Sequence, residues 1–362
     1  MSSSLSVLVI DANPFRAKMI KGWLSGSYTV TCRTTVTAGE DYLKRFSPVF
    51  IISYESLSLI SDIPTFIIGK DFLEPLSEKE IVETVDMHAL PYAKLQELRN
   101  EKDKLETENE QLKKRVTSQT AYLKKAGEVQ RGMLKKKQYD KVKIATQFLP
   151  LLDLSGDFYY YKRFEERLYF MIGDVVDHGA EAAIYMTELT SFLYALLQNE
   201  KPLPELLYEF NRLGRYYNHC VLSATVFAGT LNLDTGELEY CSIGHELPFV
   251  VGEEGVRELA QENTYLPVGF NETDEFETHH THLSIGDKLF MFTDGLTEEF
   301  NSMGANADYE YGDAHLLPIL EKNKNADADT LCENVLDDMQ NFIAGNERND
   351  DILIFCIERT GV

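Results

Sequence analysis

The chain has 362 residues, 44% of them hydrophobic, which is enough for two or three domains with a sizeable core. Lys and Arg number 35 against 59 Asp and Glu, a formal net charge of −24 that argues against a nucleic-acid binder or an electrostatic membrane anchor. No apolar run approaches the roughly 18 residues of a membrane span. The five cysteines are scattered without metal-ligand spacing. These features predict a cytoplasmic protein with reduced thiols and no nucleic-acid or membrane partner.

Residues 1–92 alternate short apolar runs with helix-compatible stretches. The runs over 6–10, 28–35, 49–52 and 65–68 predict strands, and the stretches over 16–24, 38–45 and 78–87 predict helices. Strands that alternate with helices favour a parallel α/β sheet. This order, with a first strand that ends at Asp11, resembles a response-regulator receiver domain.

The resemblance does not extend to the phosphorylation chemistry of receivers. That family uses an acidic pair after the first strand, an acceptor Asp after the third and a Lys before a Pro. Here Asp11 stands without a second acidic residue. The acceptor position falls on Ser53 or Tyr54, and the Lys position falls on Glu74. The resemblance therefore implies a pseudo-receiver used for dimerisation or partner binding. An unrelated small α/β module is the alternative.

Residues 93–138 are polar, contain no proline and predict one long helix. A seven-residue repeat gives this segment a seam, with a positions at Leu95, Lys102, Asn109, Val116 and Leu123 and d positions at Leu98, Leu105, Leu112 and Gln119. An Asn at a buried a position favours a parallel dimer in one register. We therefore predict a dimeric coiled-coil linker, with a solvated single helix as the alternative.

Residues 139–362 contain turns in which an Asp follows or precedes an apolar, strand-like run. They are Ser155-Gly156-Asp157, Gly173-Asp174-Val175, Thr293-Asp294-Gly295 and Asn349-Asp350-Asp351. One Asp-Gly turn alone is more typical of a hairpin. Several Asp residues that converge at strand ends, with few Cys or His nearby, form a hard oxygen site that suits Mg²⁺ or Mn²⁺.

Taken in this order, the turns resemble the metal-dependent protein phosphatase (PPM) family in its SpoIIE/RsbU branch. Other matching segments are 223–227 with 231–238, the Gly244-His245 pair, and Leu266-Pro267-Val268-Gly269. The resemblance implies an α+β fold over 139–362, an α-β-β-α sandwich of two antiparallel sheets. Its helices are expected over 180–198, 203–215 and 328–342.

The resemblance also implies a site for two Mn²⁺ or Mg²⁺ ions. Asp174 corresponds to the residue that bridges the ions, and the Val175 carbonyl to a ligand of one of them. Asp294 and Asp350 correspond to direct ligands. Asp157 corresponds to a residue that acts through a water molecule or as a weak ligand of a third ion.

Further residues are implied to support this chemistry. Asp351 lies behind the ligands, and His178 corresponds to a candidate general acid. Asp177 stands where the family has Gly, which adds a negative charge near the ions. The motif residue His245 more often has a structural role.

The implied function is a protein serine/threonine phosphatase, regulated through a homodimeric pseudo-receiver and coiled coil. In this branch the phosphorylated substrate is commonly a STAS-domain anti-sigma-factor antagonist, and the helix before the catalytic domain, here about 121–134, acts as a switch. The alternative is a non-enzymatic adaptor that binds a sigma-factor regulator. All the expected ligands are present in the sequence, which favours the enzyme.

Overall fold

A computed structural model describes residues 5–46, 48, 50–53, 63–67, 77–134, 137–177, 179–217, 222–270, 275–300, 310–343 and 345–361. Tyr54, Glu74 and His178, which the sequence singled out, lie outside the described residues. The chain divides into two compact units, Met1–Thr117 and Ser118–Val362. Among the described helices, none combines the length and apolar character that crossing a bilayer requires.

The first unit contains a parallel sheet, as the alternation of strands and helices predicted. Its strands are β1 (Ser6–Ile10), β2 (Thr29–Arg33), β3 (Phe50–Ser53) and β4 (Thr65–Ile67), and its first helices are α1 (Pro14–Leu24) and α2 (Val36–Leu43). The described strands pair in the order β2–β1–β3–β4. In β1, Val7 and Val9 pack in one cluster with α1, while Leu8 packs with α2 on the other face. A strand covered on both faces needs a continuous apolar run, which β1 has.

A single helix, α3 (Glu78–Arg131), replaces the two helices predicted over 78–87 and 93–138. It continues through Pro91 and ends seven residues before 138. Ile81, Val85 and Ala89 are buried in the cluster that covers the parallel sheet. A proline removes one backbone hydrogen bond, and we infer that this packing offsets the loss. The coiled coil along α3 stays a prediction.

The second unit is built from two five-stranded sheets whose neighbouring strands are antiparallel. The strands are β5 (Lys141–Leu149), β6 (Phe158–Phe164), β7 (Arg167–Val175), β8 (Ala224–Asn232), β9 (Glu237–Ile243), β10 (Phe249–Gly252), β11 (Gly255–Glu258), β12 (His279–His282), β13 (Lys288–Phe292) and β14 (Ile352–Gly361). The first sheet, here the β14 sheet, has the order β11–β10–β13–β14–β5. The second, here the β7 sheet, has the order β12–β9–β8–β7–β6.

Helices accompany both sheets. They are α4 (Ala180–Leu196), α5 (Leu203–Tyr217), α6 (Asp294–Thr297), α7 (Leu317–Lys322), which follows a π-helical turn (Gly312–Leu316), and α8 (Ala328–Ile343). In β14, Leu353 and Phe355 join a core shared with the β7 sheet and α4, while Ile354 and Cys356 join a core shared with α8. Alternate residues of a strand point to opposite faces. The layers therefore follow the order helix, sheet, sheet, helix, which agrees with the predicted sandwich.

Candidate active site

Each sheet contributes two aspartates at its strand ends. Asp157 directly precedes β6, and Asp174 lies near the end of β7. Because β6 and β7 are antiparallel neighbours, the start of one lies beside the end of the other. By the same geometry Asp294, at the start of α6 just after β13, lies near Asp350, just before β14. The predicted carboxylates therefore meet in two pairs, one per sheet.

Thr293 joins the two pairs. Its hydroxyl donates to Asp157 Oδ2 at 2.9 Å and accepts from the backbone N–H of Leu353 at 3.0 Å. The hydroxyl of Ser155 accepts from the backbone N–H of Asp157 at 3.1 Å. Sequence reasoning missed Thr293, and its position directly before Asp294 was the only signal for it.

Asp351 holds the loop before β6. Its Oδ1 accepts from the backbone N–H of Leu151 at 2.6 Å, and its Oδ2 accepts from the N–H of Gly156 at 3.2 Å. The residue is 4% exposed. A carboxylate whose two oxygens both accept backbone bonds is suited to fixing a loop. Asp351 therefore fixes the loop that leads to Asp157, and its place behind the ligands stays a prediction.

Position 295 requires glycine, because the backbone of Asp351 approaches it closely. A Cβ at this position would stand 1.9 Å from the carbonyl oxygen of Asp351. Only glycine therefore lets the first turn of α6 lie against the segment that carries Asp350 and Asp351. The Asp-Gly pair at 294–295 thus brings two candidate ligands together and does not form a hairpin turn.

The carboxylates raise one another's pKa. Burial, then the charge of Asp174, raises the pKa of Asp157 well above its usual range. Burial, then the charge of Asp294, raises the pKa of Asp174 to about 8. The two carboxyl groups titrate as a pair, and their proximity keeps them from ionising together. Burial and Asp350 raise the pKa of Asp294.

The donor set fits a divalent cation in its chemistry. Carboxylates that cannot all ionise together create a negative potential, and hard oxygen ligands suit Mg²⁺ or Mn²⁺. The Val175 carbonyl lies at this end of the sheet, 3.0 Å from where a Cβ on Gly156 would stand. The geometry of the side chains fits less well than their chemistry. Among the described residues, no three His, Cys, Asp or Glu side chains are grouped so that they could hold a metal ion.

Asp177 adopts a backbone conformation that favours glycine. Its φ is 78°, and Gly179, two residues later, has φ 88°. This explains why the resembled family has Gly at the position of Asp177. The side chain of Asp177 is exposed, just beyond the end of β7. The charge that it adds therefore lies at the surface beside the candidate site.

The end of α3 contacts the loop that carries Asp157. Gln130 is 5% exposed, and its amide exchanges two hydrogen bonds with the backbone of Ser155, at 2.8 and 3.2 Å. Gly127, one turn earlier, is buried against the carbonyl of Asp153. Sequence reasoning placed a switch helix here but did not single out these residues.

In the first unit, an arginine pairs with the aspartate that follows β1. Arg16 Nε donates to Asp11 Oδ2 at 2.7 Å, and its Nη2 donates to Oδ1 at 2.9 Å. The backbone N–H of Asn13 also donates to Oδ1. Ser53 is buried at the end of β3, which pairs with β1. A bidentate guanidinium compensates the buried charge of Asp11 without a metal ion.

Comparisons with known proteins agree with the fold of the second unit. The family model described as Stage II sporulation protein E (SpoIIE) matches residues 165–360. Phosphoserine phosphatase RsbU of Bacillus subtilis is 25% identical over 239 residues, which are 65% of this chain and 69% of RsbU. The structure of the RsbU and RsbW domains of Rv1364c from Mycobacterium tuberculosis matches with 25% identity and a TM-score of 0.52, over 61% of this chain and 60% of that one. The SiaA-PP2C domain of Pseudomonas aeruginosa shares the fold, with 15% identity and a TM-score of 0.58 over 67% of this chain and 97% of that domain.

Proposed function

The chain belongs to the SpoIIE family of PPM-type protein phosphatases, and we propose that it is a metal-dependent phosphatase of phosphoserine or phosphothreonine in proteins. The observation that carries the proposal is the arrangement of four aspartates in two pairs at the ends of the two sheets, with Asp157 buried, Asp174 and Asp294 half-buried and Asp350 exposed. Burial and neighbouring negative charge raise the pKa of Asp157, Asp174 and Asp294, and a divalent cation would neutralise that charge.

Two Mg²⁺ or Mn²⁺ ions would be held by Asp174, the Val175 carbonyl, Asp294 and Asp350, with Asp157 as a weaker contributor. Such ions, when bound, stabilise the charge of a phosphoryl group during its transfer. Thr293 and Asp351 orient the aspartates and their loop. We propose His178 as the group that protonates the leaving oxygen of the serine.

We also propose a substrate and a mode of regulation. RsbU is named a phosphoserine phosphatase, which supports a phosphoserine protein, and we propose a STAS-domain anti-sigma-factor antagonist. The catalytic segment is strongly acidic, which favours a substrate with a basic face. Regulation would pass from a homodimeric pseudo-receiver and coiled coil to the end of α3.

The test compares the full-length protein with Asp174→Asn in Mn²⁺-dependent hydrolysis of p-nitrophenyl phosphate and a phosphoserine protein. We expect Asp174→Asn to lose at least about 100-fold in kcat/KM, equivalent to about 2.7 kcal/mol of barrier. The matched control is Asp234→Asn, an exposed aspartate paired with Lys141, which should retain activity. Equal activity of Asp174→Asn and the wild type would contradict the proposal.

A non-enzymatic adaptor is the second candidate, because no three candidate ligands are grouped within the described residues. Calorimetric titration with Mn²⁺ separates the two functions. An adaptor would show neither Mn²⁺ binding nor turnover. A phosphatase awaiting its activator would bind Mn²⁺ and hydrolyse its phosphoprotein only when the activating partner is added.

A further inference from the structure

The loop after β9 holds His245 rigidly between the two sheets. The Ser242 hydroxyl donates to the His245 carbonyl at 2.6 Å and accepts from its backbone N–H at 3.1 Å. The amide of Gln261 in turn bonds the backbone N–H and carbonyl of Ser242, at 2.7 and 2.8 Å. His245 is 9% exposed. Its ring therefore has a fixed and enclosed position.

The two ring nitrogens face opposite sheets. Nδ1 lies 2.8 Å from the hydroxyl of Thr225, and Thr225 is the register partner of Asp174 across β7 and β8. Nε2 is enclosed and has no hydrogen-bond partner among the described residues, and the backbone of Phe292 lies close enough to the ring to affect its pKa. Phe292 ends β13, two residues before Asp294. One ring thus lies between the strand ends that carry two candidate ligands.

The ring is neutral near pH 7, because burial lowers the pKa of His245 to about 4. A neutral imidazole has one N–H donor and one acceptor. Nδ1 pairs with the Thr225 hydroxyl, as donor or acceptor according to the tautomer, and Nε2 has no hydrogen-bond partner among the described residues. An enclosed polar nitrogen without a partner is unfavourable in either tautomer, and an apolar side chain would fill a purely structural position at lower cost.

We propose that His245 is a positioning residue that sets the spacing between the strand ends bearing Asp174 and Asp294, and thereby the affinity of the site for divalent cations. The inference rests on the proposed function. It differs from the roles of Thr293 and Asp351, which fix Asp157 and its loop, because His245 bonds Thr225, the neighbour of Asp174 on the adjacent strand, and lies near Phe292, two residues before Asp294.

The experiment measures Mg²⁺ affinity of the full-length protein by calorimetry, together with thermal unfolding in EDTA. Replacement of groups that orient metal ligands typically weakens metal binding by about 10- to 100-fold. We expect His245→Phe to show a loss in that range. His245→Gln, whose amide reaches the Nε2 position, should recover part of the affinity. His245→Asn, which reaches only the Nδ1 position, should recover less.

Two further variants separate positioning from packing. Thr225→Val removes the hydroxyl at nearly constant volume and should weaken Mg²⁺ binding in the same direction. His279→Phe is the matched control, because Nε2 of His279 is also enclosed without a partner, on β12 at the edge of the same sheet and packed on Tyr240. It should leave Mg²⁺ affinity unchanged.

The outcomes are distinct. Weaker Mg²⁺ binding by His245→Phe, with partial rescue by Gln, supports the proposal. Unchanged Mg²⁺ affinity in His245→Phe, with or without a lower unfolding temperature, overturns it and leaves His245 with a packing role. A wild-type protein that binds no Mg²⁺ and hydrolyses no phosphoester overturns the proposed function itself and is recognised before any variant is compared.

Discussion

At the scale of single residues, the carboxylates of the candidate site repel one another. Burial and the charges of neighbouring carboxylates raise the pKa of Asp157 and of Asp174, and burial and the charge of Asp350 raise the pKa of Asp294. Aspartate in an unfolded chain has a pKa of about 3.9. Because burial and mutual repulsion raise these pKa values in the folded protein, the metal-free protein takes up protons at these residues when it folds.

Because of this proton uptake, we predict that the stability of the metal-free protein decreases as the pH rises. A folded-state pKa raised to about 8 at Asp174 means that the folded state binds more protons than the unfolded state between about pH 4 and 8. The contribution of these groups to the free energy of unfolding therefore falls as pH rises through that window. Thermal unfolding in EDTA should show a lower midpoint at pH 8 than at pH 5.5.

The control for the pH experiment is Asp174→Asn, which removes one titrating group and should flatten the profile. Saturating Mg²⁺ should flatten it as well, because the bound cation replaces the protons. A wild-type midpoint that rises from pH 5.5 to 8 in EDTA would contradict the raised pKa values.

A second prediction at this scale concerns backbone strain at Asp177. A left-handed φ destabilises the folded state of a non-glycine residue by roughly 1 kcal/mol. Replacement by glycine removes this strain, but glycine also makes the unfolded chain more flexible, which cancels part of the gain in stability. Asp177 also interacts with a neighbouring group, so the strain is measured by comparing Asp177→Gly with Asp177→Ala, which removes the same side-chain interaction and keeps the strain. The alanine variant should have a free energy of unfolding about 0.5 kcal/mol below that of the glycine variant. Equal stability of the two variants in chemical denaturation would contradict the strain.

At the scale of elements, the end of α3 is packed against the loop that supports the site. A Cβ on Gly127 would stand 1.9 Å from the carbonyl oxygen of Asp153. Gln130 binds Ser155 in the same loop. Any movement of this helix end therefore changes the support of Asp157.

Gly127→Ala should displace the end of α3 from that loop. Overpacking of this kind costs about 1–3 kcal/mol in the free energy of unfolding, and the weakened Gln130 contact should also lower Mg²⁺ affinity. Chemical denaturation and calorimetry measure the two effects. The control is the exposed neighbour Glu128→Ala, expected within about 0.5 kcal/mol of the wild type. Unchanged stability and Mg²⁺ affinity in Gly127→Ala would contradict this coupling.

At the scale of the whole molecule, the leucines of the α3 seam are exposed within the part of the chain that the structure describes. Leu95, Leu98, Leu105 and Leu112 are 46–61% exposed. An apolar stripe with heptad spacing is stabilised when a second helix covers it. We therefore expect a dimer that forms through this seam.

The double variant Leu105→Lys, Leu112→Lys should convert the dimer to a monomer, because charged residues at d positions repel across the interface. Light scattering coupled to size exclusion measures the mass. Thr107→Lys, at the opposite f position, is the control and should remain dimeric. A monomeric wild-type protein would contradict the predicted coiled coil.

The sequence by itself determined the features that depend on local pattern. Alternation of apolar runs and helical stretches predicted the parallel sheet of the first unit, because strands and helices differ in the spacing of their apolar residues. The order of the Asp-bearing turns indicated the phosphatase sandwich and the candidate ligands. It did not show that the helices over 78–87 and 93–138 are one, since Pro91 ordinarily ends a helix.

Only the tertiary structure decided which side chains support those ligands. Thr293 and Asp157 are 136 residues apart, and Asp351 and Leu151 are 200 apart, yet each pair shares a hydrogen bond. The place of His245 beside Thr225, 20 residues earlier, is equally invisible in a pattern. Periodicity is a property of neighbouring residues, whereas these contacts exist only once two sheets have packed together and enclosed their polar groups.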